Sequence, residues 1–479
     1  MSLDYSATVA ANRFGLGARP GELDLIGADA RGWLEAQLRG PAPALAASGL
    51  RPSADILRDA AVIRQQLQAQ RRAGAGKGAA APDSANAPAA AEALAALMRL
   101  PQLFRPIYIA EVQARLRNAV ITERPWVERL VYFWSNHFAV SVDKLAVLGV
   151  AGSMEREAIR PHVLGNFREL LLAVEQHPAM LLYLDNQRSV GPNSLLAQRA
   201  ARRERTLGLN ENLAREIMEL HTLGVDAGYT QADVTSFAKV LTGWSLGAGY
   251  GAGRMQDGVS GQFLFRPALH EPGAQTVFHR RYDQPEQAQG RAVLNDLALA
   301  QPTARHIATK LARHFIADDP PPAAVARIAQ AFERSGGDLP QVYRALLESA
   351  EGWQAPLAKY KTPQDYLLSI YRGLQLPVAD GPKSIAAFDL LGQRQFAPGS
   401  PAGWADRSDD WDGASALMKR IEFADALAQR LGGTRAVAEL GPQLLGASYS
   451  DETRVSVQRA ASDGQALTLL LTAPEFLRR

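Results

Sequence analysis

Apolar side chains recur at three- and four-residue intervals along most of this chain, and short β-type runs are confined to one region. The pattern predicts a mainly α protein, a multi-helix globular body with a small β-hairpin excursion around 262–280. Residues 1–72 read as an N-terminal helical segment, with one helix opening at Gly21 and another between Ala28 and Leu38. Residues 73–91 are rich in Ala, Gly and Pro and carry too little apolar surface to offset their ordering entropy, which predicts a linker or loop. A helical core is expected over 92–375, broken by a Gly-rich loop and hairpin at 245–280. Its strands are Phe263–Phe265 and Thr276–Phe278, with Pro272-Gly273 between them. Residues 376–479 form a loop, Gln393 to Gly413, and closing helices. No repeat of fixed period is present.

Two helices concentrate the polar chemistry. In the first, Pro125 occupies the opening turn, where its missing N–H costs nothing. At 100° per residue Trp126, Leu130, Phe133, Trp134 and His137 fall on one face. Glu128, Arg129, Tyr132, Ser135 and Asn136 fall on the other. His137 is either a buried histidine with one hydrogen bond or a metal ligand or acid/base group on a pocket floor, where aromatic neighbours would lower its pKa. The second helix runs from Asn210, a cap, to Gly224, a left-handed stop. Leu213, Ile217 and Leu220 form its apolar stripe, and Glu211, Arg215 and Glu219 stand at i, i+4, i+8 as an ion-pair ladder. Glu216 and His221 flank the stripe on opposite sides, so this helix gives at most one or two ligands to a site completed elsewhere. Thr230 and Asp233 then form a capping box.

Composition narrows the chemistry. The 479 residues include no cysteine, which excludes disulfide scaffolds, thiol nucleophiles and thiolate metal sites. His, Asp, Glu and Asn remain as ligands. With 52 basic and 49 acidic side chains the net charge is +3, so a polyanion-binding protein is not indicated and no nucleic-acid partner is expected. The arginines from Arg199 to Arg205 lack interleaved aromatics and read as a solvated loop. His306, Lys310 and His314 share a helix face at i, i+4, i+8. The two histidines make a poor metal pair, and the three read as a polar face. The N-terminus carries no secretory pattern and no uninterrupted apolar span of about twenty residues occurs, so no integral membrane segment is expected. The chain's own signals place it in the cytoplasm, with co-export beside a signal-bearing partner left open. His-Glu-x-x-His, phosphate-loop, dinucleotide and Gly-x-Ser-x-Gly patterns are all missing.

Several blocks together resemble the bacterial domain-of-unknown-function 1800 family. They are Arg13-Phe-Gly-Leu-Gly17, Phe133-Trp-Ser-Asn-His137-Phe138, His177 through Asn186, Asn210-Glu-Asn-Leu-Ala-Arg-Glu216, and Glu219-Leu-His-Thr-Leu-Gly224-Val-Asp226. Tyr229-Thr-Gln, Leu241-Thr-Gly-Trp244, Lys310-Leu-Ala-Arg-His314-Phe315, Phe396-Ala-Pro398 and Gly403-Trp404 continue the series. Departures are His270-Glu271 for the family's His-Asp, Gln275 for a lysine and Gly399 for a proline. The first two put in doubt any role that needs the shorter carboxylate or that lysine charge. The resemblance implies no activity, but it implies a partner: members are often encoded beside a sulfatase-like family, domain of unknown function 1501.

Two functions follow. The preferred one is a scaffold or maturation partner of that sulfatase-like protein, because capping accounts for much of the polar pattern. The alternative is a metal-dependent or acid/base enzyme acting on a polar substrate. Its catalytic residues would be His137, Glu211, Glu216 and His221. Asn136, Asp185, Asn186, Asn210, Asn212, Arg215, Tyr229 and Trp244 would bind substrate, and a divalent ion would sit on His137, Glu219 and Asp185.

Overall fold

The computed structural model describes residues 5–45, 49–75, 87–250, 257–431 and 437–479. Among these, 23 α-helices stand against four three-residue strands, so the fold is mainly α. The helices that build the site, in chain order, are α1 (Tyr5–Val9), α2 (Ser53–Ala75), α3 (Ala87–Ile121), α4 (Pro125–His137), α5 (Phe167–Glu175), α6 (Asn212–Glu216) and α7 (Gln231–Leu241). They continue with α8 (Gln301–Phe315), α9 (Pro363–Gly373), α10 (Lys383–Leu391) and α11 (Ala414–Leu431). Three wide π turns interrupt the α geometry, at Ala10–Phe14, Glu155–Ile159 and Ile217–His221.

Local rules start several of these helices. Pro125 and Pro363 occupy first turns. Thr230 and Asp233 satisfy each other's backbone N–H groups at the start of α7, and Thr362 caps α9 by accepting from the Asp365 N–H. Gly224 closes the α6 segment with a φ of 90°.

Two apolar clusters make up the interior. The larger gathers side chains from α1 to residues near 397, and the smaller gathers Leu116, Tyr132 and the 360–477 helices. They meet at α4, which gives Trp126, Phe133 and Trp134 to the first and Tyr132 to the second. A helix between two cores has no solvent side. Glu128 and Arg129, on the face opposite the aromatic one, are consequently 1% and 2% exposed.

The β excursion departs from the expected hairpin. β1 (Trp244–Leu246) pairs antiparallel with β2 (Phe263–Phe265), while β3 (Gln275–Val277) pairs with β4 (Arg280–Tyr282). The two runs expected to pair therefore lie in different sheets. The β3–β4 turn is Phe278-His279, both with positive φ (46° and 65°), a turn usually built from Asn and Gly and hence not signalled by the sequence. The Phe278 N–H is held by Asp233 Oδ1 at 2.8 Å.

The expected linker over 73–91 falls largely on residues 76–86, outside the described residues, and its ends are helical in α2 and α3. Residues 251–256 of the Gly-rich stretch also lie outside them. No helix among the described residues is long and apolar enough to cross a membrane.

Candidate active site

Because α4 is buried all round, each charge on its polar face needs a partner inside the protein. Glu128 pairs with Arg160, Arg129 Nη1 binds Asp365 Oδ1 at 2.9 Å, and Arg479 Nε reaches Asp365 Oδ2 at 2.8 Å. Burial alone would push the Asp365 carboxyl up, but Arg129 and Arg479 hold it well below the ordinary carboxylate range. Ser135 Oγ donates to Glu155 Oε2 at 2.7 Å, and Arg115 Nε meets the same oxygen at 2.7 Å. Asn136 donates from Nδ2 to the Trp404 carbonyl at 2.8 Å and accepts the Trp404 N–H on Oδ1 at 2.7 Å. That exchange pins the loop from Gln393 to Asp406 over α4. Between loop and helix lies a cavity of about 70 Å³, lined by Arg115, Arg129, Ser135, Asn136, Glu155, Gln364, Asp365 and the loop. At about 15 Å³ per water, it would hold roughly five waters or the end group of a small ligand.

Helix α8 brings a histidine to the same cavity. His314 lines it, and its Nδ1 lies 2.9 Å from Asp406 Oδ1. Asp406, whose burial is outweighed by the neighbouring His314, stays well below the usual carboxylate range and accepts the Nδ1 proton. Nε2 is left as the lone-pair nitrogen, with no protein partner. Burial lowers the His314 pKa to about 4, so the ring is neutral at pH 7. One and two turns earlier on the same face stand Lys310, whose burial lowers its pKa, and His306, whose Nε2 meets the Leu220 carbonyl at 3.0 Å. Burial likewise takes His306 to about 4.

Behind α4, away from this cavity, is a second polar cluster. His137 is 1% exposed, stacks on Phe133 and points Nε2 at the His221 carbonyl, 3.2 Å away. A carbonyl only accepts, so Nε2 carries the proton and Nδ1 is left without a partner. Burial, then Lys310, His221 and His306, hold its pKa well below the ordinary value. His221 Nδ1 meets Glu175 Oε1 at 2.8 Å, and both side chains are buried. His137 and the segment from Asn210 to Gly224 do meet, with the two imidazole centres 6.1 Å apart. The contact is tight and carries no lining of the cavity.

The model of the family described as a protein of unknown function (DUF1800) matches residues 9–478, nearly the whole chain. The chain belongs to the DUF1800 family. No curated protein and no solved structure matches it.

In this DUF1800 chain the other expected site residues are distributed rather than gathered. Glu211 accepts from Thr235, Gln231 and Arg215, which ties α6 to α7; those first two hydrogen bonds lower its pKa. Arg215 completes that brace through Gln231. The ladder does not reach Glu219, because the π turn at Ile217–His221 breaks the 100° register. Burial raises the Glu216 carboxyl, and the positive charge available to His221 works against it. Asp185 pairs with Lys144 at 2.6 Å. Asn186 donates to the Leu241 and Trp244 carbonyls, and Asn210 donates to the Leu184 carbonyl while accepting from the Asn212 N–H. Asn212 itself is exposed, Tyr229 is half-buried, and Trp244 is fully buried in β1 against Phe263. His137, Glu219 and Asp185 form no joint metal site: among the described residues no group of three His, Asp or Glu could hold an ion.

The departure at His270-Glu271 has a structural use. Glu271 receives the Asn193 N–H at 2.7 Å and the Asn193 amide at 2.6 Å, and holds the loop before α6.

Sequence reasoning missed Arg115, Glu155, His314, Asp365 and Asp406. It read His306, Lys310 and His314 as a polar helix face, and that face packs against α4 and the Trp404–Asp406 loop. The usable signal was the Lys310–Phe315 block standing in the same series as Gly403-Trp404.

Proposed function

We propose that this DUF1800 protein is an enzyme performing general acid–base chemistry on a small polar substrate in the cavity between α4 and the Gln393–Asp406 loop. One observation carries the reading. His314 lines the cavity, donates a hydrogen bond from Nδ1 to Asp406 at 2.9 Å, and keeps a buried Nε2 without a protein partner. A carboxylate that fixes the tautomer and steadies the imidazolium is the arrangement a general base needs. Burial lowers its pKa to about 4, which leaves the ring unprotonated at neutral pH. His314 is assigned as base, Asp406 as its positioning residue, and Arg129 with Asp365 as the fixed charges beside it. This moves the acid/base role from His137, which lines no part of the cavity.

The test is turnover of pooled small polar compounds, followed by NMR, with wild type, His314→Gln and Asp406→Asn. Turnover lost at least a hundredfold in His314→Gln, and largely in Asp406→Asn, with folding retained, supports the assignment. Turnover unaffected by His314→Gln sinks it.

The scaffold reading has one observation in its favour. An apolar groove of about 620 Å³ lies between α9, α10 and α11, lined by Ile370, Tyr371, Ala387, Leu390 and Phe423, with Leu390 52% exposed. A sulfatase-like partner docking there would protect Leu390 from solvent, and Leu390→Asp would release it.

A further inference from the structure

Three glutamines on one wall of the cavity have their orientation fixed by their neighbours. Gln395 Oε1 and Gln364 Oε1 both face Arg115 Nη1, and Gln393 Oε1 accepts the Gln364 backbone N–H at 2.7 Å. Each of these partners can only donate, so each amide must present its oxygen to the protein. The three NH₂ groups then have no protein acceptor among the described residues, and neither does Arg115 Nη2.

The carboxylates that line the cavity are already engaged. Glu155 is committed to Arg115, Ser135 and Arg160, Asp365 to Arg129 and Arg479, and Asp406 to His314. Arg115 itself is held in place, its guanidinium 3.8 Å from the Tyr132 ring centre and 4.8 Å from that of Phe396. Phe396 takes a left-handed φ of 52°, a conformation that costs about 1 kcal/mol or more and persists where the surroundings impose it. The wall is therefore a set of accessible donors held in place, open to water or to the acceptor oxygens of a ligand.

We infer that this wall binds a carboxylate group of the substrate, with Arg115 Nη2 and the Gln364, Gln393 and Gln395 amides as its donors. A planar monoanion matches the one guanidinium nitrogen left open, the amide donors beside it and the small cavity. A dianion such as phosphate would face Glu155 and Asp365, whose guanidinium partners are already paired. The inference rests on the proposed acid–base site, because it fixes which end of the substrate lies away from His314.

The test needs no knowledge of the substrate. Acetate is titrated into wild type, Gln395→Glu and His314→Gln, followed by NMR, with inorganic phosphate and acetamide as comparison probes. Gln395→Glu keeps an acceptor toward Arg115 and puts a second oxygen where the NH₂ stood. It should fold with undiminished thermal stability and bind acetate at least tenfold more weakly. Wild type should bind acetate at least tenfold more tightly than phosphate or acetamide, and His314→Gln should retain acetate. Acetate binding unchanged in Gln395→Glu, absent in wild type, lost in His314→Gln, or outcompeted by phosphate would each overturn the carboxylate assignment. Loss of turnover in His314→Gln is read separately, so the base can fail while the donor wall stands.

Discussion

Asn136 and the Trp404 peptide exchange two hydrogen bonds, 2.8 Å from Nδ2 to the carbonyl and 2.7 Å from the N–H to Oδ1. This pair holds the wall that carries Gln393, Gln395 and Asp406 against α4, so Asn136 acts on the cavity by closing it. Asn136→Asp keeps the acceptor and sets a second oxygen against a carbonyl. It should cost about 2 kcal/mol, read from the urea midpoint. Amide exchange should accelerate first over 393–413. Uniform acceleration across the chain would show that the pair does not control the loop.

Gly403 tests the same closure sterically. Its φ is 85°, and a Cβ there would lie 2.3 Å from the Asn136 carbonyl oxygen. Backbone on one side and a left-handed conformation on the other leave no cheap adjustment. Gly403→Ala should destabilise by more than about 1 kcal/mol and weaken ligand binding in the cavity, whereas Gly399→Ala, with open space around it, should change neither.

The buried imidazoles give the protein a defined response to acid. Unfolded histidine titrates near 6.5, while burial sets His306 and His314 at about 4 in the folded state. Between those values the unfolded chain binds more protons, so their stabilisation is complete above about pH 6.5 and is lost as pH falls toward 4. The loss should reach about 2 to 3 kcal/mol for each ring. Urea midpoints measured from pH 7 to 4 check this, and His306→Gln should flatten the slope. Asp365 and Asp406, both depressed, add further loss only below their ordinary value near 3.8.

How far the sequence could be read depends on where each side chain's partner lies. Periodicity placed α4 and its two faces, and local chemistry placed the Thr230 cap and the Gly224 stop, because those determinants lie within a few residues. The fate of the polar face was hidden, since Arg129 finds Asp365 236 residues away and Asn136 finds Trp404 268 residues away. A charged face next to an apolar one reads as solvent-facing unless a second core is known to cover it. The π turns hid more: Glu155 and His221 both sit in segments where a 100° step misplaces side chains. The hairpin failed for a third reason, since Phe278-His279 carries none of the residues that normally announce its turn.

His137 stood out in the sequence, and its surroundings allow its packing to be tested apart from its chemistry. Its ring stacks on Phe133 and meets Trp134 edge-on, its Nε2 donates to the His221 carbonyl, and its Nδ1 has no partner. A ring that packs but uses only one polar atom should be replaceable by another ring. His137→Phe gives up one hydrogen bond, relieves one buried unpaired nitrogen and should stay within about 1 kcal/mol of wild type. His137→Ala opens a cavity and should cost about 3 kcal/mol. Neither should alter turnover per folded molecule, because His314 and Asp406 are untouched. Thermal unfolding and turnover measured on the same samples decide it: a stable His137→Phe protein without turnover would return the chemistry to His137.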